Sequence, residues 1–286
     1  MSSNIPKKFV ANFFRINKLF SGGNCKVYNV KDSSSKRYAL KLFNLRKYDS
    51  KLINEIENGI FLNLKEKGDS YFIKYISSES ERLTKKTFII YELAEKNTLQ
   101  NLLIKGKYFE ENLALIIFSV IAKQVNVLHK MGLAHMNIKL ENILIDADYN
   151  LKLAGFSLAQ KVEKCSKNKK QNELYLNDIF QLGVLLLQLI TGRCDLKSLE
   201  KLLKVIQKGR YESFWKVIEM QNNQNFSEKL KEIINIMLTI KSNENKKKWT
   251  LDEILNNTDW FNDLQIINTN IYVKEKFEEI EEAVII

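Results

Sequence analysis

The sequence predicts an α+β fold in which a strand-rich first third precedes a mostly helical remainder. After a polar lead at residues 1–12, five strand-like runs lie between residues 13 and 91, namely FFRINKLF, CKVYNV, RYALKLF, FIKYIS (72–77) and KTFIIYEL. One helical segment, Leu52–Leu64, interrupts them. Farther along the chain, the runs Leu113–Ala122 and Leu182–Ile190 are apolar, and we expect them to form buried helices. Together these features predict a small sheet with one main helix, followed by a larger helical region.

Length and composition limit the class of protein. The 286 residues, 45% of them hydrophobic, can bury the core of one two-lobed domain or of two small ones. The apolar runs are shorter than the roughly 20 residues that cross a bilayer, so no membrane segment is expected. Three scattered cysteines and an N-terminus without an apolar stretch indicate a reducing compartment. We predict a cytoplasmic protein, with association with the cytoskeleton as an alternative.

The formal net charge of +11 raises the question of a nucleic-acid partner. The basic residues are mostly lysines in a chain also rich in asparagine and isoleucine, and no basic stripe carries interleaved aromatic residues. We therefore do not expect nucleic-acid binding. Two lysine-rich segments, Lys161–Lys170 and Lys246–Lys248, instead predict a protein partner with an acidic surface.

Two motifs with fixed spacing carry most of the information. The stretch LHKMGLAHMNIKLENILI contains His135, Asn137, Lys139 and Asn142, and Gly155-Phe156-Ser157 begins 18 residues after Asn137. Further motifs lie in order on both sides of this pair. They are Leu19–Tyr28 (LFSGGNCKVY), Tyr38–Lys41 (YALK), Asp178–Gly183 (DIFQLG) and Thr250–Phe261 (TLDEILNNTDWF).

This series of motifs resembles the eukaryotic protein kinases, whose patterns include H-R-D-x-K-x-x-N, D-F-G and V-A-I-K. The resemblance implies a single bilobal domain over residues 1–286. It predicts a small antiparallel-sheet N-lobe with one main helix at about 13–91, a hinge at about 92–97 and a mostly helical C-lobe at about 98–264. A helical tail would follow at about 265–286, where Phe277, Ile280 and Val284 recur at helical spacing.

Both carboxylates of the family pattern are replaced. Asn137 stands at the position of the catalytic base, and an amide cannot accept a proton near neutral pH. Gly155 stands at the position of the magnesium ligand, which leaves Asn142 as a single neutral oxygen donor. The transition-state lysine of the family, Lys139, is kept. These substitutions argue against phosphoryl transfer and predict no metal site.

Nucleotide binding without a metal is left open by the remaining positions. At the three glycine positions of the phosphate loop the chain has Phe20, Gly22 and Cys25, so the phosphate cradle is weakened. Lys41 matches the phosphate-pairing lysine, with Glu55 or Glu57 as its partner. We prefer Glu57, because it would place Ile60, Phe61 and Leu64 on the inward face of the helix. The other positions implied by the resemblance are the apolar Val27, Ala39 and Leu144, Tyr91 at the back of the pocket, and hinge groups from Glu92 to Ala94.

Four further residues are expected to be structural. His135 and Phe156 match the stacked column that joins the lobes of an assembled kinase, and Phe61 is a candidate third member. Asp178 matches a buried aspartate that accepts hydrogen bonds from the backbone around His135, and Asp178–Gly183 resembles the start of the family's long central helix. Asp178 lies 23 positions after Gly155 without an A-P-E sequence between them, so the platform for a peptide substrate is expected to be missing.

The sequence thus leads us to expect a catalytically inactive, kinase-like protein that needs no cofactor and acts as a binding, scaffolding or structural subunit of a larger assembly. The alternatives are a switch that binds nucleotide weakly and a residual or atypical serine/threonine protein kinase.

Overall fold

The computed structural model describes residues 8–10, 12–21, 25–44, 50–65, 71–81, 86–162, 169–194, 196–241, 249–257, 260 and 269–283. The chain divides into two compact units. The first contains the residues up to Glu95 together with Ala154–Leu158, and the second contains Lys96–Leu153 and the residues from Ala159 onward. The division after Glu95 falls within the predicted hinge at 92–97.

The first unit is built on an antiparallel sheet with the strand order β1-β2-β3-β4-β6-β5. Its strands are β1 (Lys8–Val10), β2 (Phe13–Ser21), β3 (Cys25–Lys31), β4 (Arg37–Asn44), β5 (Tyr75–Glu81) and β6 (Lys86–Glu92). The sheet has one strand more than the five we predicted, because the segment before residue 13, which we considered a polar lead, contains β1. The predicted run 72–77 is also displaced, since β5 begins at Tyr75.

Alternating side chains give the sheet two different faces. On one face the cluster of Tyr28, Val30, Leu40, Phe88 and Ile90 is buried. The opposite face carries Lys41 and meets helix α1, which spans Ser50–Lys65. The period-2 pattern of the strands therefore separates an apolar core from the face that holds the charged lysine.

Helix α1 turns Leu52, Glu55, Asn58, Gly59 and Leu62 inward, at the spacing of one helical face. Gly59 lies against the sheet so closely that an added Cβ atom would be 2.9 Å from Cβ of Tyr75. A glycine in the middle of a helix is intrinsically unfavourable, and here the close approach to β5 explains its presence.

The second unit is mostly helical. Its helices are α2 (Leu99–Gly106), α3 (Glu111–Lys130), α4 (Lys169–Thr191), α5 (Leu196–Gln207), α6 (Tyr211–Asn222), α7 (Glu228–Thr239), α8 (Leu251–Leu255) and α9 (Thr269–Glu282). Two short sheets accompany them, one of β7 (Leu133–Ala134) with β10 (Gln160–Lys161) and one of β8 (Ile143–Ile145) with β9 (Leu151–Leu153). Side chains of Thr98, Ser227 and Thr250 cap three of the helices, which fixes where these helices begin.

Helices α3 and α4 form the interior of the second unit. They contain the two apolar runs from which we predicted buried helices, and most of the side chains in these runs are buried. Helix α3 (Glu111–Lys130) and the part of α4 from Glu173 to Thr191 are long and apolar enough to cross a membrane. The apolar runs from which we predicted these helices are shorter and did not indicate this. Burial of most of each helix inside the unit accounts for their apolar composition.

Helix α4 begins earlier than the sequence indicates. We expected the central helix to start near Asp178, but α4 starts at Lys169. The stretch between Gly155 and Asp178 therefore ends in more than two helical turns. Tyr175 lies in this extension, and its ring is 4.2 Å from the ring of His129 between centroids.

The C-terminal helix α9 packs on its own unit, against α2 and α3. Phe277 is fully buried between the rings of Phe109 and Tyr149, and Val273 is buried beside it. The predicted tail thus forms a helix that buries Val273 and Phe277 and half-buries Ile280, although Val284 lies outside the described residues. The antiparallel sheet with one main helix and the helical second unit confirm the predicted α+β fold of the kinase type.

Candidate nucleotide site and catalytic loop

Lys41 in the first unit forms a close ion pair with Glu55. Its Nζ atom lies 2.6 Å from Oε1 and 2.8 Å from Oε2 of Glu55, whose side chain is 3% exposed. Strand β4 and helix α1 supply the two residues, so the pair joins the sheet to the helix. A buried carboxylate is strongly disfavoured without such a partner.

Glu57, our preferred partner for Lys41, does not make this contact. Its side chain points outward and is exposed, whereas Glu55 faces the sheet. The prediction placed Ile60 on the inner face of α1, but that side chain is 44% exposed. Successive residues of a helix are about 100° apart, and two positions shift a side chain to the opposite face.

Tyr91 completes the surroundings of Glu55. Its hydroxyl donates a hydrogen bond of 2.9 Å to Oε1 of Glu55, and its ring packs edge to face against Tyr75. Burial, followed by the nearby charge of Glu55, raises the pKa of Tyr91 well above its ordinary value. The hydroxyl therefore stays protonated and acts as a donor, a role that we did not predict for this position.

Val27, Ala39 and Lys41 lie on one face of the sheet, as the resemblance implies. Val27 is opposite Lys41 in the β3–β4 pair, and Ala39 is two residues from Lys41 on the same strand. Asn29, opposite Ala39, shares this face and was missed by sequence reasoning. Among the described residues, its buried Oδ1 atom has no hydrogen-bond partner.

Four other nucleotide positions were predicted, Gly22, Glu92, Ala94 and Leu144. Gly22 lies outside the described residues. The Glu92 N–H donates to the carbonyl of Lys74 at 3.0 Å. Ala94 is half-buried, and Leu144 lies in β8 of the second unit. For Glu92, Ala94 and Leu144 the nucleotide contact stays a prediction.

Cys25 and Phe20 stand where the kinase pattern has two of the three glycines of its phosphate loop. Phe20 is 51% exposed. Burial raises the pKa of the Cys25 thiol, and the charge of Lys41 only partly opposes this shift. The thiol is therefore protonated at neutral pH and has no negative charge that would repel a phosphate.

Gly155, Phe156 and Ser157 belong to the first unit. Gly155 has a φ of +85°, a backbone conformation that glycine adopts without strain. Phe156 is buried and packs edge to face on Phe72, with 5.8 Å between the ring centroids. Phe72 was missed by sequence reasoning, while Phe61, our candidate for this packing, is half-buried; its place in a stacked column stays a prediction.

The catalytic loop of the second unit is fixed by Asp178. Its carboxylate accepts hydrogen bonds of 2.7 Å from the backbone N–H groups of His135 and Met136, and it lies 2.9 Å from Nε2 of His129. Asp178 and His135 are both fully buried. The predicted role of Asp178 is confirmed, and His129 is an additional partner that the sequence did not reveal.

Gln181 adds a second support for this loop. Its Oε1 atom accepts from the N–H of Ile138 at 2.7 Å, and its Nε2 atom donates to the carbonyl of Met136 at 3.1 Å. Met136 itself has a φ of +63°, which is strained for a residue with a side chain. The two hydrogen bonds of Gln181 hold the strained turn in place.

Asn137, Lys139 and Asn142 keep the loop arrangement without its carboxylate. The Asn142 Nδ2 atom donates to the Asn137 carbonyl at 2.7 Å, which directs its amide nitrogen into the loop. The Asn137 N–H donates to Nδ1 of His135. Lys139 lies 3.7 Å from Glu141, and both side chains are partly exposed. These groups can orient a hydroxyl and stabilise negative charge, but no Asn137 atom can take up a proton.

The residues at the family's magnesium positions do not fit that ion. Gly155 has no ligand atom, and Asn142 offers one neutral oxygen where magnesium prefers several anionic or strongly polar ones. Within the described ranges, no group of three or more His, Cys, Asp or Glu side chains could hold a metal ion.

Comparison with known proteins agrees with this architecture. A model of the protein kinase domain matches residues 13–261. The chain therefore belongs to the protein kinase family.

Its relatives include named serine/threonine kinases. The chain is 28% identical to serine/threonine-protein kinase GIN4 of Saccharomyces cerevisiae over 54% of its own length and 14% of that protein. It is 24% identical to a probable cell cycle serine/threonine-protein kinase, the CDC5 homolog of Encephalitozoon cuniculi, over 82% of the chain and 51% of the relative. The chain spans about half or less of the length of these relatives.

These relatives contradict our expectation of a catalytically inactive scaffolding or structural subunit, because their names describe serine/threonine protein kinases. They favour the alternative of a residual or atypical serine/threonine protein kinase. How far Asn137 and Gly155 reduce phosphoryl transfer stays a prediction.

Proposed function

We propose that this chain is an atypical serine/threonine protein kinase that binds ATP chiefly through Lys41 and transfers phosphate slowly. The observation that carries the proposal is the Lys41–Glu55 ion pair at 2.6 Å. In the family, this lysine pairs with the nucleotide phosphates while the glutamate of the small-lobe helix positions it. The pair joins β4 to α1 on the face of the sheet that also carries Val27 and Ala39.

The slow transfer follows from the catalytic loop. Asn137 can hydrogen-bond a substrate hydroxyl and orient it, and Lys139 can stabilise charge that develops on the transferred group. Without a carboxylate, the proton of the hydroxyl must leave to water or to the phosphate itself. General base catalysis typically contributes 10²–10⁴-fold to a rate, and we expect a loss on the order of that factor.

A switch that binds ATP without transferring phosphate is the second candidate. The early start of α4 at Lys169 favours it, because helical turns replace part of the segment on which a kinase would hold a peptide. Both candidates require nucleotide binding and differ only in transfer.

Two measurements on the purified chain test the proposal. Thermal denaturation is followed with millimolar ATP, in magnesium and in EDTA, because a ligand that binds the native state raises its melting temperature. Transfer of labelled γ-phosphate to mixed protein substrates is measured in parallel. Lys41→Ala should abolish both signals, whereas Lys36→Ala, in the exposed β3–β4 turn, should preserve them.

The outcomes separate the candidates. Stabilisation by ATP with slow, Lys41-dependent transfer supports the atypical kinase, and stabilisation without transfer supports the switch. Absence of any ATP effect on the wild-type chain would contradict both.

We also propose a protein partner with an acidic surface and a cytoplasmic location. The support is the net charge of +11 and the lysine-rich segments, which lie largely outside the described residues. Affinity purification at low and high salt tests this, since charge-driven association weakens as salt increases.

A further inference from the structure

We infer that Asn54 and Asn58 of α1 form a clamp that positions Gly155-Phe156-Ser157 without a metal ion, and that this clamp supports phosphate binding at Lys41. The second part of the inference rests on the proposed nucleotide binding. We call the two side chains the asparagine clamp.

The clamp consists of two side-chain amides and two consecutive backbone carbonyls. The Asn58 Nδ2 atom donates to the carbonyl of Phe156 at 3.2 Å, and the Asn54 Nδ2 atom donates to the carbonyl of Ser157 at 2.9 Å. Residues four apart lie on the same side of a helix, which lets both amides reach one short segment. Asn58 and Phe156 are 2% and 3% exposed, so water cannot easily replace the Asn58 bond.

The clamp is continuous with the ion pair at Lys41. Glu55 follows Asn54 directly, and the same helical turn therefore holds both the carboxylate of the ion pair and one amide of the clamp. Any movement of this turn away from Gly155-Phe156-Ser157 would also move Glu55 relative to Lys41. Within the first unit, the position of Gly155-Phe156-Ser157 is thus coupled through α1 to the position of the Lys41 amine.

The sequence explains why such a clamp is needed here. The family aspartate at the position of Gly155 ties this segment to a metal and its nucleotide, but glycine offers no such tie. Glycine also allows more backbone conformations than other residues and raises the entropic cost of holding the segment in one of them. Two amide hydrogen bonds and the packing of Phe156 on Phe72 hold it instead.

Leucine substitutions test the clamp because leucine is close to asparagine in size and cannot donate. The variants are Asn58→Leu, Asn54→Leu and the double variant. Asn63→Leu is the control, since Asn63 also donates from α1 to a backbone carbonyl, that of Tyr75 at 2.5 Å, but does not touch the clamped segment. Asn54 is only half-buried, so its variant provides a test if Asn58→Leu fails to fold.

The first measurement is hydrogen exchange of the backbone amides from 155 to 159 in the nucleotide-free chain. Loss of one clamp bond should speed their exchange roughly tenfold, because the free energy of local opening falls by about the contribution of one hydrogen bond. Asn63→Leu should leave the exchange rate unchanged. Equal exchange in wild type and in both clamp variants would overturn the clamp, whether or not ATP binds.

The second measurement compares the affinities for ATP and for adenosine in EDTA. Because Lys41 contacts phosphate and not the base, the clamp variants should lose about fivefold to tenfold in ATP affinity and little in adenosine affinity. An equal loss for both ligands would indicate a merely structural role and would overturn the link to Lys41. Failure of the wild type to bind ATP would instead overturn the proposed function, while the exchange measurement would still decide the clamp.

Discussion

Glu55 combines full burial with a negative charge, and this decides how the site of the first unit is built. Two contacts from Lys41 and one hydrogen bond from Tyr91 surround its carboxylate. Removing one partner of a buried charge lowers the free energy of unfolding by more than the contact itself contributes, because the remaining charge stays desolvated. Tyr91 therefore belongs to the lysine site, in addition to its predicted position at the back of the nucleotide pocket.

Tyr91→Phe tests this role at a single atom. Loss of the hydroxyl leaves Oε1 of Glu55 with one donor fewer, and we expect the free energy of unfolding to fall by about 1–2 kcal/mol. Urea denaturation measures the change. Tyr75→Phe is the control, since the Tyr75 hydroxyl donates to Ser78 and not to Glu55. Equal effects of the two variants would contradict a special role for Tyr91.

At the scale of secondary structure, the contact between α4 and α7 depends on a glycine. A Cβ atom added at Gly183 would lie 2.7 Å from Cβ of Met237, a distance at which the helices must move apart. Gly183→Ala should therefore lower the free energy of unfolding by about 1–3 kcal/mol, the usual effect of overpacking. Chemical denaturation checks this.

Gly106→Ala is the matched control for this prediction. A Cβ atom at Gly106 would meet its neighbours at 3.4 Å or more, and alanine favours the helix over glycine. The change should be neutral or slightly stabilising. A loss at Gly106 as large as that at Gly183 would contradict the assignment of the Gly183 effect to its close contact with Met237.

Helix α9 is attached to its unit by a group that titrates. Burial tends to raise the pKa of Glu281, but hydrogen bonds from Lys96 and Tyr149 outweigh this effect and lower the pKa below its ordinary value. Stabilisation from such a group is present above the unfolded pKa and is lost as the pH falls through the folded pKa. The attachment should therefore weaken in acid, below the ordinary pKa of glutamate, about 4.3.

Glu281→Gln isolates this contribution. The difference in unfolding free energy between wild type and variant should be largest near pH 7 and should shrink between about pH 5 and pH 3. Denaturation at several pH values measures it. A difference that stays constant over this range would show that the charge of Glu281 does not stabilise α9.

For the whole molecule, the lost carboxylates and the early start of α4 have separate consequences. Asn137→Asp with Gly155→Asp would supply a base and a metal ligand, and ATP binding should become magnesium-dependent. The aspartate at position 155 would have to adopt a φ of +85°, so the double variant should be less stable by about 1–2 kcal/mol.

Transfer to a peptide should nevertheless remain slow in this double variant. Helix α4 still begins at Lys169, and the substitutions do not create a longer segment to hold a substrate. Titration calorimetry with and without magnesium, together with peptide phosphorylation, checks both parts. Phosphorylation at the rate of an ordinary kinase would show that the carboxylates alone limit the reaction.

The class of fold, the order of elements and the support of the catalytic loop by Asp178 were predictable from the sequence. Each depends on local patterns: alternating strands, apolar helical runs, and polar residues at fixed spacing. The preference for Glu57 over Glu55 was wrong because two residues change the face of a helix, and the apolar pattern of α1 allowed either choice. In the same way, the start of α4 could not be placed, since helix formers precede Asp178 without a clear boundary.

By itself, the sequence determined the kinase fold, and it predicted that Asn137 and Gly155 stand at the positions of two family carboxylates. Only the tertiary structure decided which glutamate meets Lys41, that Tyr91 and His129 complete buried charges, and that Asn54 and Asn58 hold the segment after Gly155. These contacts join residues up to about 100 positions apart in the chain. The physical reason is that hydrogen bonds depend on distance and direction in space, which packing sets and local sequence pattern does not.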